Sequence, residues 1–259
     1  MRFKLFLILS SILLVTYFTR DNYRSVRDID PTVMRDPIQT EAHDKTPFQF
    51  QKNGFFYTVN PLYEYEITGI VVHRLIYDRW FSLSRTDTVF PMDLCIIWGD
   101  NVKSGVYREK NVTFSQDFRF CLYTTYQKEH IILNQSLSNN HLVIKDDDLY
   151  QLAQTVRAGD QIRIRGKLVD IKAVPLTKPE RYEPQNLIWK TSTIREDAGA
   201  GACETIFVES IEILKRGNPI SLILFNESYY GILVIIVWSI ISFAYSLRKD
   251  AAFLNTRPK

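Results

Sequence analysis

The stretch from Asp146 to Ile171, DDDLYQLAQTVRAGDQIRIRGKLVDI, carries two different hydrophobic periods back to back, and the change between them decides the fold. In its first half Leu149, Leu152 and Val156 recur at spacings of three and four, the period of an amphipathic helix. Asp147 or Asp148 can cap its start and Gly159 supplies the stop, which predicts a helix of about ten residues. From Gln161 to Leu168 the pattern becomes strict alternation. Ile162, Ile164, Gly166 and Leu168 fall on one face and Gln161, Arg163, Arg165 and Lys167 on the other, as in a strand with one side buried.

Strand patterns flank this unit on both sides. In YEYEITGIVVHRL, Tyr63, Tyr65 and Ile67 alternate with Glu64, Glu66 and Thr68 until Gly69, where a bulge or sharp coil is expected. A second strand is predicted in Met92–Asp100, a third in Asp117–Gln127, a short one in His141–Lys145 and the last in Glu204–Leu214. Three strands, one helix and two strands is the order of the OB-fold. The expected class is therefore mainly β, an OB-like, partly open five-stranded barrel with one helix. A β-sandwich and an unclosed α+β sheet are the competing shapes.

Two transmembrane helices are expected to flank this domain. Residues 5–18, LFLILSSILLVTYF, form an apolar run of about fourteen residues behind Arg2 and Lys4, and no small-residue cleavage site follows, so 1–19 reads as a retained anchor. From Tyr229 to Leu247, about nineteen residues carry no charge, enough to span most of the hydrocarbon core. The division that follows is an anchor at 1–19, a proline- and charge-rich stalk at 20–62, the β domain at 63–214, a juxtamembrane segment at 215–228, a span at 229–247 and a basic tail at 248–259. Arg2, Lys4, Arg248, Lys249, Arg257 and Lys259 place both tails in the cytoplasm by the positive-inside rule, although Arg20, Arg24 and Arg27 blur it.

At 46% hydrophobic and 24% charged residues the chain is globular rather than disordered, and its net charge of +3 does not by itself imply nucleic acid. The three cysteines all lie in the portion expected outside the cytoplasm. There one disulfide is permitted, with Cys121 and Cys203 as candidates, and one thiol is left over. The plainer account makes Cys95 and Cys121 small buried side chains of strands. No close cysteine or histidine pair fits a zinc site, and no motif calls for a cofactor.

Candidate chemistry is sparse. Arg163, Arg165 and Lys167 could line a groove for an anion or a single nucleic-acid strand, or form a solvated strand face, which is the favoured reading. SNNH, Ser138 to His141, reads as a turn. Its functional version makes His141 a general base steadied by Asn139 or Asn140 and working with Asp197 or Glu204 in a tethered hydrolase or transferase. SRTD, Ser84 to Asp87, reads as a salt-bridged loop, and WGDN, Trp98 to Asn101, as a strand end followed by a turn. In REDAGAGACE, Arg195 to Glu204, the lysine of a P-loop is missing and a strand follows rather than a helix. A close-packed turn is expected there, with Arg195 as a possible ligand contact.

Three blocks together, SNNH, GDQIRIRGKLVDI (Gly159 to Ile171) and TSTIREDAGAGACE (Thr191 to Glu204), resemble a set found in membrane-anchored bacterial envelope proteins of unknown function. The resemblance implies a bacterial inner-membrane setting with the main domain in the periplasm, and it makes the sequons at Asn111, Asn134 and Asn226 incidental. It supplies no activity and no catalytic residues. The leading expectation is a non-enzymatic binding or assembly module whose partners are the lipid bilayer and another membrane or envelope protein. A nucleic-acid binder would require the inverted topology.

Overall fold

The computed structural model describes residues 2–52, 54–77, 90–117, 120–126, 131–176, 187–195, 197 and 202–255. The chain divides into a β-rich unit, Asn22–Gly217, and a helical unit made of Met1–Asp21 and Asn218–Lys259. SRTD and the glycines of AGAG lie outside the described residues.

In the β-rich unit the described strands are β1 (Ile38–Glu41), β2 (Phe48–Lys52), β3 (Phe55–Ile76), β4 (Met92–Ile97), β5 (Thr113–Asp117), β6 (Phe120–Thr124), β7 (Leu137–Val143), β8 (Gln161–Pro175), β9 (Leu187–Trp189) and β10 (Glu204–Lys215). Two short helices, α2 (Gly99–Lys103) and α3 (Asp147–Gln154), lie between them. β3 pairs with β4, β4 with β7, β7 with β10 and β10 with β8; because β8 also pairs with β3, this path returns on itself as a ring of five strands. Every pair in the ring is antiparallel except β7 with β10. Alternation along the strands turns Ile67, Leu94, Leu142, Ile162, Ile164 and Ile206 to the inside, each fully buried. Burying such a side chain contributes about 1.5–3 kcal/mol.

The helix lies where the periods place it, between β7 and β8, with its cap one residue earlier than expected: the Asp146 carboxylate accepts from the Leu149 amide at 2.8 Å. The helix ends at Gln154, short of the stop expected at Gly159; Gly159 instead has φ +96° and donates its N–H to Val71 O at 2.7 Å, which pins the chain to β3. The bulge expected at Gly69 is absent. Pairing with β8 runs through Gly69 unbroken, and the slip against β4 falls between Val71 and His73. What Gly69 permits is close approach, since a Cβ there would lie 2.5 Å from Ile97 O. Gly166 does the same against β10, where a Cβ would sit 2.1 Å from Phe207 O, beside the slip between Val208 and Ser210.

Three expectations are corrected. The third strand of the ring is β7, not Asp117–Gln127; the residues Phe120–Thr124 pair only with β5, as a separate hairpin. Of β7 only the end was expected, in the short strand at His141–Lys145; Ser138–Asn140 are polar and look like a turn. The segment 20–62 is not a stalk from Asn22 onward: β1 and β2 pair with β3, and Val26, Val33 and Phe50 are buried. Gln161, on the polar side of the strand pattern, is itself buried, and its amide clamps this segment through Asp28 O at 2.7 Å and the Asp30 N–H at 2.6 Å. Finally, β10 runs to Lys215 and the next helix starts at Pro219, which leaves no separate juxtamembrane segment.

The helical unit consists of α1 (Arg2–Thr19) and α4 (Pro219–Asn255) side by side and antiparallel. Thr19 Oγ1 meets Ser221 Oγ at 3.1 Å, Tyr17 packs on Phe225, and Leu9 fills the notch at Gly231. Pro219–Lys249 is long and apolar enough to cross a membrane; Phe3–Thr19 is apolar but shorter.

Candidate functional site: a polar row within the ring

β7 reads LSNNHLV, and its four central residues are all buried. A polar segment survives inside a sheet because β4 and β10 satisfy its backbone on both edges, leaving only the side chains to be matched. Leu142 belongs to the core inside the ring and Val143 to a second core outside it. By alternation Ser138 and Asn140 therefore point inward, and Asn139 and His141 outward.

Inside, the Asn140 amide donates to Ser138 Oγ at 2.8 Å and to Leu94 O at 3.2 Å. Its register partner on β10 is Glu204. Burial pushes the Glu204 carboxyl up to about 8, and the negative charge of Asp197 adds to this. Its own backbone N–H, the Ser138 hydroxyl and the Arg195 guanidinium act the other way. Glu204, Arg195, Trp98 and Tyr65 line a recess of about 10 Å³, room for roughly one water-sized group. Three polar atoms of its walls, Glu204 Oε2, Arg195 Nη1 and Trp98 Nε1, are buried without a hydrogen-bond partner among the described residues.

Outside, His141 Nδ1 lies 2.9 Å from Asp93 Oδ1, close enough to pair although not aligned as a hydrogen bond. Tyr77 donates its hydroxyl to Asp93 Oδ2 at 2.8 Å. Phe90 lies over the imidazole at 5.0 Å and Trp189 meets it edge-on at 4.9 Å. Both His141 and Asp93 are 0% exposed, so this pair is walled off from any substrate in solution. His141 and Glu204 do not converge, because they leave opposite faces of the sheet; Asp197 accepts a hydrogen bond from Ser192 Oγ at 2.5 Å. Asp93 was missed as a site residue, yet its signal was legible: an acid inside MDLCII, an otherwise apolar run, demands a buried partner.

Farther along the outer face, Gln116 of β5 donates to Asn139 Oδ1 at 2.5 Å, and the Asn139 amide approaches Cys203 Sγ at 3.9 Å. Burial pushes the Cys203 thiol up to about 12, and the charges of Glu204, Asp93 and Asp197 act in the same direction. The disulfide joins Cys95 to Cys121, with Cα atoms 5.5 Å apart, rather than Cys121 to Cys203. The β5–β6 hairpin packs on the outer side of β4 where Cys95 and Ile97 point, which sets Cys121 against Cys95. Between the hairpin and β7 lies a cavity of about 100 Å³ lined by Phe120, Cys121, Tyr123, Asn134, Asn139, Asp197 and Cys203, among others.

The basic row of β8 offers no free cationic groove. Arg163 pairs with Glu212 at 2.7 Å and Glu66 at 3.6 Å, Arg165 with Glu66 at 2.5 Å, and Lys167 with Glu64 at 2.7 Å. The acids stand opposite in register on β3 and β10, so this is a cross-strand ladder of opposite charges. No group of three or more histidine, cysteine or acidic side chains that could hold a metal occurs among the described residues. No protein-family model, curated protein or solved structure matches the chain.

Proposed function

We propose that the protein is a membrane-anchored module that binds or assembles with another membrane or envelope component outside the cytoplasm, without a catalytic step of its own. One observation carries the reading: a β-rich unit stapled by a disulfide shares its chain with an apolar helix of membrane-spanning length. A disulfide of this kind belongs to an oxidising compartment. The buried pairing of His141 with Asp93 and the neutralised ladder on β8 favour neither the hydrolase nor the nucleic-acid alternative.

The ring is read more finely as an OB-like, partly open barrel. Its strand order, its parallel closing pair and its helix between the third and fourth strands support this. A second span in α1, with both tails on the cytoplasmic side, is supported by the antiparallel packing of α1 on α4 and by the basic residues Arg2, Lys4, Arg248 and Lys249 at one end of that pair. The bacterial inner membrane and periplasm rest on the resemblance of the three sequence blocks.

Trapping thiols in intact cells before lysis tests the location: Cys95 and Cys121 should be protected until reduced, and finding both alkylated overturns it. Detergent extraction of native membranes tests assembly. A stoichiometric partner is expected to co-purify, and a monodisperse monomer alone would exclude an assembly role.

A further inference from the structure

The cavity between β6 and β7 has an unusual balance of charge. Among its described lining residues are one carboxylate, Asp197, two carboxamides, Asn134 and Asn139, and two aromatic rings, Phe120 and Tyr123, with no lysine, arginine or histidine among them. Asp197 accepts a hydrogen bond from the Ser192 hydroxyl, and no described cation lies within ion-pair distance of it. The guanidinium two residues away, Arg195, lines the recess inside the ring instead. Among the described residues an anion meets a negative wall, and no group of three or more histidine, cysteine or acidic side chains offers a metal ion its ligands. A monovalent cation carrying hydrogen-bond donors finds a carboxylate and the Asn134 carboxamide beside two aromatic rings, while Asn139 Oδ1 already accepts from Gln116.

We propose that this cavity is a binding site for a primary ammonium group, carried either by a small free amine or by an amine-bearing lipid headgroup. At about 100 Å³ it accepts a short alkylammonium end and not a whole large ligand. Asn134 is exposed at its edge, so the rest of an amine-bearing molecule can extend into solvent. The site gives the binding module its ligand chemistry and rests on that reading.

The test uses the full chain in detergent micelles, titrated calorimetrically with n-propylammonium chloride at constant ionic strength and with n-propanol as the neutral counterpart. Saturable binding of the ammonium is expected, at least about tenfold tighter than the alcohol, and Asp197→Asn is expected to lose about tenfold. Should Asp197→Asn lower the melting temperature, Phe120→Leu serves in its place; it removes one ring, keeps the wall apolar and should weaken binding about threefold. Equal binding of propanol and propylammonium, or no loss in either variant, overturns the proposal. Competition by vesicles containing phosphatidylethanolamine, but not by phosphatidylcholine alone, assigns the amine to a headgroup; ammonium binding without such competition assigns it to a free amine. Failure of all ammonium binding would leave the thiol-trapping and co-purification results untouched, so the two readings fail separately.

Discussion

Replacing Glu204 with glutamine removes an ionisation that the fold resists. In the folded chain the carboxyl is held up to about 8, against an ordinary value of 4.5, chiefly because Oε2 is buried. For an acid raised on folding, the protein is stabilised below the unfolded value, and that stability is lost as pH rises from 4.5 towards about 8. A rise of that size corresponds to on the order of 5 kcal/mol between the two ends of the window. Glutamine keeps the shape and the hydrogen bonds to Ser138 but has no proton to release. Urea unfolding of the full chain in micelles, followed by tryptophan fluorescence, should therefore show wild type losing stability from pH 5 to pH 8.5. Glu204→Gln should lose several kcal/mol less. Trp98 lines the same recess and gives the measurement a local reporter. Parallel pH dependences for the two proteins would refute the account of the recess as a site that excludes charge.

Other outcomes follow from the packing. Gly166→Ala places a methyl 2.1 Å from Phe207 O, a backbone atom that cannot step aside, and chemical denaturation should show a loss of at least about 3 kcal/mol. Asp93→Ala strips the partner from both His141 and Tyr77; a cost of about 3 kcal/mol is expected, with a coupling above about 1 kcal/mol to His141→Ala in a double-mutant cycle. Removing the disulfide by a Cys95→Ala, Cys121→Ala double substitution frees a loop spanning 26 residues and should cost about 3.5 kcal/mol on the chain-entropy scale. Cys203, buried and with its thiol held up to about 12, should resist alkylation in the native protein and react once urea unfolds it; rapid native labelling would contradict its placement.

The elements with an unmixed period were legible. Leu149 and Leu152 located α3, although Leu152 is 38% exposed and Val156 falls beyond the helix end, and the alternation from Gln161 to Leu168 located β8 with the correct inward face. Only the end of β7, in the short strand expected at His141–Lys145, was legible, because hydrophobic alternation is blind to a strand that buries Ser138, Asn139 and Asn140 by satisfying them rather than by excluding them. For the same reason the grouping of the polar residues was not legible. His141 and Glu204 were singled out for their chemistry, but a one-residue offset on paired strands put them on opposite faces, which no local pattern reports. The ladder was readable in principle from Glu64 and Glu66 alternating on β3 with the same period as Arg165 and Lys167 on β8.

The register of that ladder sets a timetable. Arg165 and Glu66 stand 99 residues apart, and β10, which completes the ring, lies farther along still. At the usual 5–20 residues per second of synthesis, β3 waits on the order of 5–20 s for β8 to emerge. Until then its edge is open to any passing strand. The two glutamates that later neutralise Arg165 and Lys167 give that edge a negative charge in the meantime, so the same residues that align the finished ring also guard the unfinished one.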